Sequence, residues 1–192
     1  MNTIDSITKS VDDIFDLYKK FGDADYIGEP VSQIQHMSQA AQLAMKEGCD
    51  DEVILAAFFH DIGHICVQSD EMNNMGGYGI QRHEKVGADF LRSKGFSERL
   101  VKLVENHVQA KRYLTFKYPS YHAALSEASK RTLEFQGGKM TETEAHHFAE
   151  DPNFEMSLLL RKWDELAKEI DLPLIDLDVL KQKAMNCLLR EM

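Results

Sequence analysis

Val53-Ile54-Leu55-Ala56-Ala57-Phe58-Phe59-His60-Asp61-Ile62-Gly63-His64 is the most informative run in this 192-residue chain. Its first seven residues are apolar on every side, which marks a helix at the centre of a helical assembly. An imidazole and a carboxylate then follow directly. Burying the two together is costly unless they are paired, hydrogen-bonded or bound to a cation. Consecutive helical residues point ~100° apart, so His60 and Asp61 would both reach one ion lying between helices.

Working outward, apolar residues recur at helical spacing. Ile4, Ile7, Val11, Ile14, Leu17 and Tyr18 form one stripe near the start. His36, Ala40, Leu43 and Ala44 line a second helix over 31–46, which stops at Gly48. His83, Val86, Gly87, Phe90 and Leu91 share a face that ends at Gly95, and Ser97 caps the next helix, with Leu100, Leu103, Val104, His107 and Lys111 on its face. Thr141 and Glu144 make a capping box, Trp163 and Asp164 lie on a further helix, and Val179, Leu180, Ala184, Cys187 and Leu188 mark a closing one. Period-two strands, repeats and long linkers are absent, and the loops Met75–Gly79 and Gln136–Gly138 follow no strand, so neither is a nucleotide fingerprint. The reading is all-α: one domain over 1–192, with an N-terminal helix at about 3–20, a core at about 23–168 and a C-terminal helix at about 175–190.

Charge limits the partners. With 22 Lys and Arg against 32 Asp and Glu, the net charge of −10 argues against nucleic acid and anionic membrane. It leaves room for a small anionic substrate, because a few placed cations can dominate a pocket. Val53–Phe59 is too short to span a membrane, and the start has neither a basic end nor an apolar run of the leader type. Cys49, Cys66 and Cys187 form no CxxC and no even framework. The expected location is the cytoplasm, with reduced thiols.

His36, His83 and His107 each fall on the apolar stripe of a different helix from His60, and Asp164 supplies a second carboxylate. Imidazoles converging from four helices are how bundle-core metal sites are built. Four His and two Asp exceed the needs of one ion; they suit two ions ~3.5–4 Å apart, with Asp61 as the bridge. Iron, zinc and manganese all accept such ligands. Lys111 follows His107 by four residues and Arg161 precedes Asp164 by three, so each shares a face with a ligand and can clamp phosphate-like oxygens. His64, four after His60, is either a further clamp or a ligand. His122, His146 and His147 fall outside the pattern and are expected on the surface.

The order His36, His60-Asp61, Asp164 resembles that of the HD-domain superfamily, an all-α fold of mostly metal phosphohydrolases, and His83 and His107 resemble its two-metal subset. Asp25-Tyr26-Ile27-Gly28-Glu29, Met75-Gly76-Gly77-Tyr78-Gly79, His83-Glu84-Lys85-Val86-Gly87-Ala88-Asp89, Ala110-Lys111-Arg112-Tyr113-Leu114 and Phe135-Gln136-Gly137-Gly138 are similar to segments of the phosphonate-degrading mixed-valent di-iron oxygenases. The similarity runs from about Asp23 to Trp163.

That resemblance implies a dioxygenase with two iron ions, Fe(II) and Fe(III), and O2 as co-substrate, cleaving a C–P bond to give phosphate and a carboxylic acid. It assigns one iron to His36, His60, Asp61 and Asp164, and the other to Asp61, His83 and His107. His64, Lys111, Ser129 and Arg161 match phosphonate-binding positions, with His64, Lys111 and Tyr26 in the catalytic set. Tyr26 and Glu29 match a mobile loop whose tyrosine blocks an open iron position and whose glutamate receives an amine. Gln35 departs from the pattern, standing where the family has glutamate near that amine. The implied substrate is (R)-2-amino-1-hydroxyethylphosphonate, giving glycine, or its N-trimethyl analogue, giving glycine betaine. An α-ketoglutarate-dependent hydroxylase would act beforehand. A metal phosphohydrolase and a non-catalytic interaction module are the competing readings.

Overall fold

The structure, a computed structural model, describes residues 3–66 and 75–191. It is helical, with no strand among the described residues and one isolated antiparallel bridge, between Asp25 and Ser32. The helices are α1 (Thr3–Phe21), α2 (Gln33–Lys46), α3 (Asp51–Phe59), α4 (His83–Ser93), α5 (Glu98–Lys117), α6 (Pro119–Ala124), α7 (Glu127–Phe135), α8 (Glu142–Ala149), α9 (Phe154–Leu166) and α10 (Leu177–Arg190). Among the described residues, no helix is long and apolar enough to cross a membrane.

Local chemistry fixes the helix starts. Ser32 and Gln35 form a reciprocal capping box on α2, and Thr141 and Glu144 do the same on α8. Asp50 caps α3 by accepting from Val53 N–H, and Ser97 caps α5 by accepting from Leu100 N–H. The second helix therefore begins at Gln33 rather than 31, because Ser32 is its cap.

Every residue from Val53 to Phe59 is buried, as an all-round apolar helix requires. α2, α5 and α10 pack around α3, and α9 lies against α2 and α5. The α1 stripe joins this core through Val11, Ile14, Phe15 and Tyr18; the Tyr18 ring stacks on Phe58 and its hydroxyl donates to the Phe58 carbonyl. α10 adds Leu180, Ala184, Cys187 and Leu188.

One expectation needs correcting. His60 and Asp61 do not sit inside a helix: α3 ends at Phe59, His60 caps it, and Asp61 has φ −103° and ψ 11°. A short 3₁₀ turn, Ile62–His64, follows. The cause lies at Gly63, where a Cβ would stand 1.9 Å from the His83 carbonyl oxygen. The chain leaves helical geometry so that the start of α4 can pass against this backbone, which only glycine permits.

Candidate metal centre

His36 comes from α2, His60 from the end of α3, His83 from the first turn of α4, His107 from α5 and Asp164 from α9. All five, with Asp61, are at most 4% exposed. The imidazoles form two facing pairs. His36 and His60 bring their Nε2 atoms to 3.0 Å, and His83 and His107 do the same. Asp61 joins the pairs. Its Oδ2 lies 3.5 and 3.3 Å from His36 and His60, while its Oδ1 lies 3.1 and 3.4 Å from His83 and His107. Asp164 Oδ1 closes the first cluster at 3.3 Å from His36 and 3.7 Å from His60.

Whether these residues suit cations follows from the far side of the rings. His36, His60 and His107 hold the carbonyls of Ala167, Ala57 and Val104 through Nδ1, at 2.9, 2.8 and 2.7 Å. A carbonyl only accepts, so Nδ1 carries the hydrogen and a neutral ring presents an Nε2 lone pair. In the first pair, two such lone pairs face each other and two carboxylate oxygens. That is repulsive unless a positive charge lies between them. Donor atoms ~3 Å apart are also what ligands at ~2.1 Å from one ion adopt. The set fits a metal, and the two groupings share Asp61.

The electrostatics of the site make the same demand for positive charge. Burial opposes ionisation of Asp61 and Asp164, yet the histidines around Asp61, and Arg161 with the histidines around Asp164, hold both well below the usual carboxylate range. Burial disfavours a proton on His36, but Asp164 and Asp61 outweigh it and lift His36 to about 9. His83 is raised too, as Asp61 overcomes burial, whereas burial leaves His107 lowered.

A cavity of about 60 Å³ opens onto this centre. Tyr26, Glu29, His64, Lys111, Ser129 and Arg161 all line it together with Asp61, His83, His107 and Asp164. Lys111 is buried and donates to Thr132 Oγ1 at 3.0 Å; burial, then the nearby Arg161, pushes it down to about 7. Arg161 is also buried and is held by Asp164, Glu165 and the Tyr121 hydroxyl. His64 Nδ1 accepts from Ile80 N–H at 3.1 Å, so its Nε2 bears the hydrogen. Burial and the neighbouring His83 drive His64 down to about 3, leaving it a neutral donor. Its ligand atom does come within reach of Asp61 and His83, but an Nε2–H has no lone pair for a metal.

The loop before α2 covers the cavity. Tyr26 N–H donates to Val31 O and Glu29 N–H to Tyr26 O, which closes the loop on itself. The Tyr26 ring stacks on His36, with centroids 4.0 Å apart, and lines the cavity with Asp61. Burial, then Asp61 and Asp164, holds the Tyr26 hydroxyl well above its ordinary range. Glu29 is engaged by Lys168 at 2.5 Å.

Gln35 does not line the cavity. Its Oε1 accepts from Ser32 N–H in the α2 capping box, so its chemistry is spent on the helix start. Gln33 lines the cavity instead: its Nε2 reaches the Asp25 carbonyl, and its buried Oε1 has no hydrogen-bond partner among the described residues. Thr132, Tyr121 and Lys168 join the site without a motif that marks them in the sequence. Thr132 does have a readable signal short of a motif, because Ser126 caps α7 and puts Ser129 and Thr132 on one face. His122, His146 and His147 are exposed.

Comparison with known proteins agrees with this geometry. A model of the HD domain matches residues 34–179. An uncharacterised protein of Acanthamoeba polyphaga mimivirus is 43% identical over 177 residues, covering 92% of this chain and 81% of its own. The [1-hydroxy-2-(trimethylamino)ethyl]phosphonate dioxygenase (glycine-betaine-forming) of Leisingera caerulea is 37% identical over 167 residues, 87% of this chain and 83% of its own. The hydroxymethylphosphonate dioxygenase of Gimesia maris is 38% identical over 179 residues, 93% and 88%. With the dipeptide His60-Asp61 at the junction of two histidine pairs and a match over most of its length, this chain belongs to the HD-domain family, and phosphonate dioxygenases are among its relatives.

Proposed function

We propose that this protein is an O2-dependent di-iron oxygenase that cleaves the C–P bond of a 1-hydroxyphosphonate. The substrate in this reading is (R)-2-amino-1-hydroxyethylphosphonate, and the products are glycine and phosphate. One observation carries it: the two oxygens of Asp61 face different histidine pairs, on a cavity that also holds Lys111 and Arg161. Two ions bridged by Asp61 would supply Lewis acidity toward the substrate hydroxyl and a place for O2.

The remaining work falls to side chains. Lys111 and Arg161 offer positive charge to the phosphonate, and the neutral His64 offers an Nε2–H. Ser129 offers a hydroxyl from the first turn of α7. Fixing the phosphonate at this end orients the hydroxyl-bearing carbon toward the metal centre. Tyr26 shields that centre from above, stacked on His36.

At the other end, the unpartnered Gln33 Oε1 supports a primary amine over a quaternary one. A buried acceptor without a donor is unfavourable, and an ammonium has N–H groups to offer where a trimethylammonium has none. The Glu29–Lys168 pair favours a second reading, a substrate without cationic nitrogen, because Lys168 already neutralises Glu29. A hydroxylase dependent on α-ketoglutarate would place the hydroxyl on the carbon beforehand.

The test is phosphate release and acid product from the amino, trimethylamino and unsubstituted hydroxymethyl phosphonates, under air and under argon. Oxygen-dependent release from the amino substrate above the other two is expected. Release from a phosphate ester without O2 would identify a hydrolase instead.

A further inference from the structure

The four imidazoles are not supported alike. Those of His36, His60 and His107 are each oriented through Nδ1 by a backbone carbonyl. His83 differs: its Nδ1 is buried with no hydrogen-bond partner among the described residues. Glu84 Oε2 lies 3.8 Å from that nitrogen, and it too is buried and unpartnered. Two complementary polar atoms, both unmet, thus stand side by side where either alone would be costly. Moving the carboxylate by about 1 Å makes a hydrogen bond of normal length.

We infer that Glu84 is a positioning residue for one of the two ions: its carboxylate accepts the Nδ1–H of His83 when that ring binds metal. This rests on the two-ion reading given above. A metal-bound imidazole has a more acidic Nδ1–H, which strengthens its bond to an anionic acceptor, and the acceptor in turn makes the ring a better electron donor. The other three histidines have only neutral carbonyls behind them. The centre is therefore asymmetric by construction. The ion of His83, His107 and Asp61 is the one whose higher oxidation state the protein favours.

The competing role for Glu84 is ordinary. It lies in the first turn of α4, where any acidic residue stabilises the helix dipole. Two substitutions separate the roles. Glu84→Gln keeps the size and removes the charge; Glu84→Asp keeps the charge at the helix start and shortens the reach. Glu105→Gln is the control: with Glu84 it lines a second cavity, separate from the one at the metal centre.

Iron content is measured by titration against a chelator, and the mixed-valent state by electron paramagnetic resonance at a poised potential. Both Glu84 variants are expected to hold one ion as tightly as the parent and the other ~10- to 100-fold more weakly, with the mixed-valent signal shifted toward the fully reduced state. The control should match the parent. A parent-like Glu84→Asp beside an impaired Glu84→Gln would assign the helix-dipole role and overturn the inference. Two ions of parental affinity in both variants would overturn it as well. A parent that holds fewer than two ions would overturn the two-ion reading itself, and the inference with it.

Discussion

The Lys168 ammonium lies 2.5 Å from the Glu29 carboxylate, tying the loop over the cavity to the chain just beyond α9. The two residues are far apart in sequence, and both are largely shielded from solvent. An ammonium on a substrate must therefore compete with one already in place. Lys168→Gln removes the competitor and leaves Glu29 its full charge. The preference for an amino over an unsubstituted hydroxymethyl phosphonate should rise ~3- to 10-fold in kcat/KM, consistent with an ion pair of about 1 kcal/mol. An unchanged ratio would mean that Glu29 does not face the substrate nitrogen.

Asp61→Ala should remove both ions, since each of its oxygens serves a different histidine pair. His83→Ala should remove one and spare the ion held by His36, His60 and Asp164. Metal analysis of the two purified variants checks this, and retention of two irons in Asp61→Ala would refute the bridge.

Gly63→Ala should damage the centre without touching a ligand. The new methyl would stand 1.9 Å from the His83 carbonyl oxygen and 2.7 Å from its carbonyl carbon, so α4 must shift. Overpacking of backbone costs roughly 1–3 kcal/mol, occasionally more. A lowered Tm together with weakened binding of the ion on His83 and His107 is expected. Parent-like values for both would show that α4 accommodates the methyl freely.

Lys111 gives the site a pH dependence of definite sign. With its proton affinity lowered from 10.5 to about 7, it carries charge below neutrality and loses it above. Its contribution to phosphonate binding should fade as pH climbs through 7. Lys111→Arg stays charged throughout, so the ratio of parent to variant KM should rise with pH. Stability runs the other way: between about 7 and 10.5 the unfolded chain binds more protons at this position, so Lys111 alone makes the fold more stable as pH rises. KM profiles and melting curves from about pH 6 to 9, a window that spans the Lys111 transition near 7, test both signs.

Tyr26→Phe retains the ring on His36 and removes a hydroxyl from the cavity that Asp61 also lines. Turnover should persist while the resting centre oxidises faster in air. The rate of iron oxidation without substrate decides it, and a parental rate would leave Tyr26 only a packing role.

The sequence by itself determined most of the helices and the kinds of group they carry. Local patterns set α2, α3, α5 and α8, because capping residues and apolar periodicity act within a few positions. The same periodicity placed His36, His83 and His107 on buried faces. Tertiary structure alone decided where single atoms point. Only the packing of α4 on the 3₁₀ turn, across Gly63, gives the two oxygens of Asp61 different partners. Only the approach of Lys168 to the loop neutralises Glu29. Gln35 and Gln33 are alike in sequence, two positions apart on one helix. A hydrogen bond to Ser32 keeps Gln35 at the helix start, while Gln33 is left facing the cavity. α7 is not legible in the sequence because its amphipathic face has little to bury: Leu133 is its one buried residue, and the helix carries Ser129 and Thr132 to the cavity. Periodicity reports burial. The direction of a polar atom is set by neighbours distant in sequence, which meet only once the chain has folded.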